Sequence, residues 1–254
     1  MSVVSIGRVK LFKACRRAYE LKYIYNLEPV ERSEAIDTGI SYHSLLEQLY
    51  RNGELEEGLS KEHAMAVAYK KYIYPKFHVK STEDWFKYML PNGDTLIGKT
   101  DGITDDGVLV EHKTTSADIT EAYEYDLMWD EQLLAYMLAT GTRKVWYTVC
   151  RKPTIRQKRD ESDEEFHDRM VEWYDQDTCS KIRLLSLHRT DDEINEFALD
   201  LRKMIYEMSH CTYFYKNCGN CNRWGRRCEY SSVCLHYNPE QEYVEFKRRE
   251  DVNI

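Results

Sequence analysis

The stretch Gly98–Lys113 constrains the fold more than any other part of this chain. Two apolar runs, Thr95-Leu96-Ile97 and Val108-Leu109-Val110, flank the turn signal Asp105-Asp106-Gly107, a pattern that predicts a β-hairpin. Asp101 falls toward the end of the first strand. Glu111 and Lys113 fall on the second strand, two residues apart, so their side chains share a face. An aspartate and a glutamate offer hard oxygen ligands for a divalent cation such as Mg²⁺. A lysine beside them can orient a water or stabilise charge building on a phosphate. A charged surface hairpin would carry the same residues, so the rest of the chain has to decide between the two.

Helical periodicity recurs on both sides of the hairpin. Residues 6–27 place Val9, Phe12, Ala14-Cys15, Tyr19, Tyr23 and Leu27 at helical spacing, and Gly39–Tyr50 reads as an amphipathic helix with Leu46, Leu49 and Tyr50 inward. Residues 61–78 predict a further packing helix. Asp118–Ala139 predicts one long helix ended by Gly141, with Gln132 and Tyr136 four apart on one face. Lys144–Cys150 predicts a strand, Asp160–Asp177 an acidic helix, Cys179–His188 a strand and Asp191–Met208 a helix with Ile194, Phe197, Leu201 and Ile205 inward.

At 254 residues the chain is long enough for one sizeable core, and nothing in it reads as a linker, so a single domain spanning 1–254 is expected. The formal charge of −8 argues against a generic nucleic-acid coat. Locally the balance reverses. Arg143, Lys144, Arg151, Lys152, Arg156, Lys158 and Arg159 share a stretch without an acidic residue, which reads either as a phosphate-facing surface or as a solvated loop balanced by the helix after it.

Met1-Ser-Val-Val-Ser-Ile-Gly-Arg contains no long apolar segment, so neither a signal peptide nor a membrane span is expected, and a cytoplasmic location follows. In such a reducing compartment the eight cysteines favour metal ligation over disulfides. Cys218, Cys221, Cys228 and Cys234 crowd one polar segment. Four local cysteines suit a zinc knuckle, and thiolates equally hold a [4Fe–4S] cluster. Cys150, Cys179 and Cys211 read as structural.

Taken in order, Asp101, Glu111-His112-Lys113 and Gln132-Leu-Leu-Ala-Tyr136 resemble the motifs of the PD-(D/E)XK nuclease superfamily, in its RecB-like branch. Gly98-Lys-Thr-Asp101 is similar to the first acidic motif, and Gly39-Ile-Ser-Tyr-His43 to the Gly-x-x-x-His motif. Phe12-Lys-Ala-Cys15-Arg-Arg-Ala-Tyr19 and Cys228-Glu-Tyr230-Ser-Ser-Val-Cys234 resemble the two chain ends of phage exonucleases related to the CRISPR-associated adaptation nuclease and the AddB nuclease, which carry an iron–sulfur cluster. The resemblance implies an α/β fold, a mixed central sheet flanked by helices, whose C-terminal cysteine cluster clasps the N-terminal helix. It also implies one or two Mg²⁺ or Mn²⁺ ions held by His43, Asp101, Glu111 and the carbonyl of His112. In that family Lys113 places the attacking water, and Gln132 and Tyr136 contact DNA or hold the lysine.

By the same resemblance a structural [4Fe–4S] cluster would take Cys15, Cys228, Cys234 and either Cys221 or, in its place, Cys218, because the family's most compact spacing has a cysteine where this chain has Gly225. The implied activity is metal-dependent exonuclease action on single-stranded or end-containing DNA, in phage DNA processing. A DNA-binding adaptor that keeps the fold, and a zinc-containing interaction protein with incidental carboxylates, are the competing readings.

Overall fold

The computed structural model describes residues 2–223 and 226–249; Gly225 therefore lies outside the described residues. In chain order the elements are β1 (Val3–Ser5), α1 (Ile6–Ala14), α2 (Arg16–Tyr19), β2 (Leu27–Pro29), α3 (Glu34–Asn52), α4 (Lys61–Tyr72), β3 (Val79–Met89), β4 (Thr95–Thr104), β5 (Leu109–Thr115), α5 (Glu121–Asp126), α6 (Glu131–Thr140), β6 (Lys144–Arg151), α7 (Asp163–Gln176), α8 (Thr178–Lys181), β7 (Ile182–His188), α9 (Asp191–Ser209), β8 (Asn222–Arg223), β9 (Arg226–Arg227) and β10 (Phe246–Arg248). A mixed sheet runs in the order β1, β4, β5, β6, β7, with β3 also paired to β4, and helices flank it. The fold is thus the mixed α/β arrangement expected. By contacts the chain divides into two compact units, one of residues 34–86 and 98–197, the other of residues 1–33, 87–97 and 198–254.

In the first of these units the hairpin forms around Asp105-Asp106-Gly107. Gly107 takes a φ of +79°, where a side chain would be strained, and its N–H donates to the Thr104 carbonyl at 3.0 Å. The antiparallel register sets Gly102 opposite Val110, so Asp101 falls across from Glu111. Parallel β6 lies along the other edge of β5, and antiparallel β7 follows it. Tyr42, Leu46 and Leu49 form the buried stripe of α3. They pack with Met65, Ala66, Ala68 and Tyr69 of α4, Trp173 and Tyr174 of α7, and Cys150 and Ile182 of the sheet. Burial raises the Cys150 thiol to about 12, in keeping with a packed, inert side chain.

Two stretches read as single helices are broken. Asp130 takes an extended backbone (φ −78°, ψ 100°) and its carboxylate accepts from the Gln132 N–H at 3.0 Å, so α6 starts afresh there instead of continuing α5. Cys15, in the other unit, is extended as well (φ −160°, ψ 111°) and separates α1 from α2. The Ala14 carbonyl freed by that break accepts from the side-chain amides of Asn217, at 2.8 Å, and Asn220, at 2.5 Å. Nearby, Ala18, Leu21 and Leu27 pack with Tyr230, Val233 and Phe246, and antiparallel β10 pairs with β2. The cysteine-bearing C-terminal segment is thereby clasped to the N-terminal helices. β3 has no counterpart in the sequence reading.

Candidate active site

Four neighbouring elements of one unit supply the site: α3, β4, β5 and α6. On the buried strand β5 the side chains alternate. Glu111 and Lys113 share one side, while the ring of His112 is buried with Tyr50, Tyr69 and Thr148, its Nδ1 2.7 Å from Thr148 Oγ1. Burial lowers the His112 imidazole to about 3, so it is neutral, and its Nε2 is buried without a partner. Its backbone N–H donates to Asp101 Oδ2 at 2.7 Å. The ring is thus held away among aromatics, and only the carbonyl of this residue is left for the ligand role expected of it.

Asp101 also faces α3, where His43 Nδ1 lies 3.4 Å from its Oδ1. Burial works against both charges. The pairing overrides it, holding the Asp101 carboxyl well down and raising the His43 imidazole. Glu111 is 1% exposed, and burial together with repulsion from Asp101 pushes it up to about 7. Its Oε1 accepts from Lys113 Nζ and, at 2.9 Å, from Gln132 Nε2. Its Oε2 is buried with no hydrogen-bond partner.

Gln132 ties this corner together. Its Oε1 accepts from Lys113 Nζ at 3.2 Å, and its Nε2 also donates to the Tyr136 hydroxyl at 2.9 Å. Lys113 is partly buried, and the desolvation by itself would lower its pKa. The Glu111 and Asp101 carboxylates outweigh that and raise it, so the ammonium stays charged. On the far side of Tyr136 lies the ring of Phe86, 5.4 Å away centre to centre. Phe86 in turn rests on Gly98, where an added Cβ would sit 2.5 Å from the ring. At the glycine of the first acidic motif the bare backbone makes room for the half-buried Phe86 ring, which any side chain there would have to displace.

The structure brings His43, Asp101, Glu111, Lys113, Gln132 and Tyr136 together. Sequence reasoning missed Glu83, on β3. His43, Glu83 and Asp101 each offer one ligand atom, all within 4.8 Å of one another, a set able to hold a metal ion. These three residues line a cleft of about 540 Å³, together with Lys99, which is ion-paired to Glu83. Glu83 has a φ of +59°, unusual for a residue other than glycine. No local pattern announces it.

In the other unit Cys15, Cys221, Cys228 and Cys234 line a cavity of about 290 Å³, and the Asn217 N–H donates to Cys15 Sγ at 3.4 Å. Cys218 precedes Cys221 in the same turn and is not part of that lining. Desolvation, and then the neighbouring sulfurs, raise the thiol of Cys221, and desolvation raises that of the half-buried Cys228 against a backbone hydrogen bond that lowers it.

The model of the PD-(D/E)XK nuclease superfamily matches residues 3–87, a segment that contains His43 and Glu83 and stops before Asp101. No curated protein matches the chain. Among solved structures, a candidate exonuclease from Eubacterium rectale aligns over 96% of this chain and 91% of its own, with a TM-score of 0.54 and 13% identity. The protein SSO0001 aligns over 84% and 80%, at TM-score 0.46 and 12% identity. A phage related exonuclease from Haemophilus somnus aligns over 74% and 94%, at TM-score 0.37 and 14% identity. The mixed α/β fold of this chain is shared with the Eubacterium rectale structure and is consistent with the superfamily whose model matches its first third.

Proposed function

We propose that the chain is a metal-dependent DNA exonuclease of the RecB-like branch, hydrolysing phosphodiester bonds of single-stranded or end-containing DNA. The observation that carries this reading is the Oε2 of Glu111: a buried carboxylate oxygen with no partner, on a strand facing Asp101. Two carboxylates held this close repel each other unless a cation lies between them, and an orphaned oxygen is the donor such a cation would take. His43, Asp101, Glu111 and the His112 carbonyl would hold Mg²⁺ or Mn²⁺. When bound, the ion supplies polarisation of the scissile phosphate and a hydroxide at neutral pH.

The chain's own groups do the rest. Lys113, kept protonated by its carboxylate neighbours, is a donor and not a base; it orients the attacking water and meets the charge growing on the phosphate. Gln132 fixes the lysine, and Tyr136, a protonated phenol, fixes Gln132. Incubation with 5′- and 3′-labelled DNA, single- and double-stranded, linear and circular, with Mg²⁺ or Mn²⁺, tests the reading. Metal-dependent release of mononucleotides from linear DNA supports it; intact DNA in every arm sinks it.

The cavity lined by Cys15, Cys221, Cys228 and Cys234 fits a structural [4Fe–4S] cluster. A single Zn²⁺ about 2.3 Å from each sulfur would draw the thiolates close together. Among the described residues, the set converging within 4.8 Å is His43, Glu83 and Asp101, with no cysteine in it. A wide ring of sulfurs around about 290 Å³ suits a cluster better than one ion. In this reading the chain acts as one nuclease domain over 1–254. We place it in phage DNA processing in a host cytoplasm on the likeness of its motifs; no helix among the described residues is long and apolar enough to cross a membrane.

A further inference from the structure

Gly39 is a glycine that nothing inside the protein requires. It lies within α3, away from either end, and its backbone is not in the left-handed region. An added Cβ would meet no atom within 4 Å beyond its own helix and chain neighbours. Glycine is the least favourable residue in a helix interior after proline, so the bare backbone weakens α3 without any gain in packing or turn geometry. What a glycine still offers there is close approach to the main chain from outside. Gly39 opens onto the cleft of about 540 Å³ that also holds His43 and Asp101, and Ile36 and Ile40, both exposed, flank it there.

The charge of this wall decides which part of a DNA strand can lie on it. From Glu34 to Tyr50 the helix carries no lysine or arginine, and Glu47 lines the same cleft. Phosphates are repelled by such a surface, whereas an uncharged base gains by covering the two isoleucines. We infer that α3 seats one unpaired nucleobase: the base beside the scissile phosphate lies on the bare backbone of Gly39, between Ile36 and Ile40. A base inside a duplex is stacked on both faces and paired along its edge, so a single-stranded or frayed end supplies the base that fits. The inference rests on the proposed nuclease reading, and adds to it a requirement for an unpaired base and three residues that position it.

Single-stranded oligonucleotides, intact or with tetrahydrofuran abasic residues at one end or the other, are incubated with the full chain and Mg²⁺. Wild type should cut from the abasic end roughly tenfold more slowly than from the same end intact, the order expected for one lost base contact. Ile36→Ser combined with Ile40→Ser should bring the two rates together. Gly39→Ala should melt higher than wild type, because alanine favours the helix and has room, yet cut intact DNA roughly tenfold more slowly with a raised KM. A purely structural role for Gly39 would not raise stability and lower cleavage together. Equal rates on intact and abasic ends in wild type, or a Gly39→Ala protein that melts lower or cuts like wild type, would overturn the inference and leave the nuclease reading standing. No cleavage by wild type in any arm would overturn both.

Discussion

At the scale of single residues, the site is a set of charges that would be unstable apart. In the proposed reading Lys113 acts because Glu111 and Asp101 keep its partly buried ammonium charged and the Gln132 side-chain oxygen accepts from it. Lys113→Ala should therefore lower DNA cleavage on the order of a thousandfold with little change in fold, as should Asp101→Ala and Glu111→Ala. Cleavage within tenfold of wild type in Lys113→Ala would remove the lysine from the chemistry. Glu111 also writes a signature into stability. Burial and Asp101 push it up to about 7, so between the ordinary carboxylate range and pH 7 the folded chain keeps a proton that the unfolded chain has released. Stability in the presence of chelator should fall as pH rises through that window, by on the order of 2 kcal/mol. Glu111→Gln, which cannot ionise, should lack that part of the slope. Denaturant melts at pH 5 and pH 8 read the difference, and parallel slopes for the two proteins would show that Glu111 is ionised throughout.

At the scale of elements, the hairpin and α6 form one working part, joined by Phe86. A side chain placed at Gly98 on β4 would meet the Phe86 ring, and displacing that ring would give up its edge-on contact with Tyr136. Gly98→Ala should cost about 1–3 kcal/mol in a thermal or denaturant melt, and Phe86→Leu in the same chain should recover part of it. Additive losses in the double variant would mean the two positions do not press on each other. The hairpin was legible because its turn chemistry and its apolar runs are local. So were Gln132 and Tyr136, whose spacing survives although the helix carrying them is shorter than its periodicity implied. The breaks at Cys15 and Asp130 were not legible, since each depends on a non-local or capping hydrogen bond that competes with helix continuation. β3 was hidden for another reason: Lys80, Glu83, Asp84 and Lys87 interrupt its alternation, and it pairs with β4 along a charged segment. Glu83 acquires meaning only once that pairing sets it beside Asp101 and His43.

At the scale of the whole molecule, an acidic chain of net charge −8 that acts on DNA as proposed would hold it through local patches, with a salt dependence set by the few phosphates those patches contact. Within the basic stretch the roles divide. Arg143 and Arg151 pair with Asp191 and Asp118, and Lys152 Nζ donates to the Ala35 carbonyl at 3.1 Å, whereas Arg156 and Lys158 are exposed. Charge reversal of Arg156 and Lys158 to Glu should weaken DNA binding and flatten the logarithmic salt slope by roughly 0.7 per lost contact on a single strand; an unchanged slope would make the segment a solvated loop. The cysteines act over the longest sequence distance. Asn217, which donates to the Cys15 sulfur, is 202 residues away from it, so any ligand set that includes Cys15 closes a very long loop, where a metal clip constrains the unfolded chain most. A zinc knuckle made of Cys218, Cys221, Cys228 and Cys234 would leave Cys15 idle. In the cluster reading Cys15→Ser removes a ligand, so visible absorbance, iron content and melting temperature should fall together. Cys218→Ser should change all three much less, because Cys218 does not line the cavity that the other four share. Iron unchanged in Cys15→Ser but lost in Cys218→Ser would reverse the ligand assignment. A colourless wild-type protein containing zinc would end the cluster reading altogether.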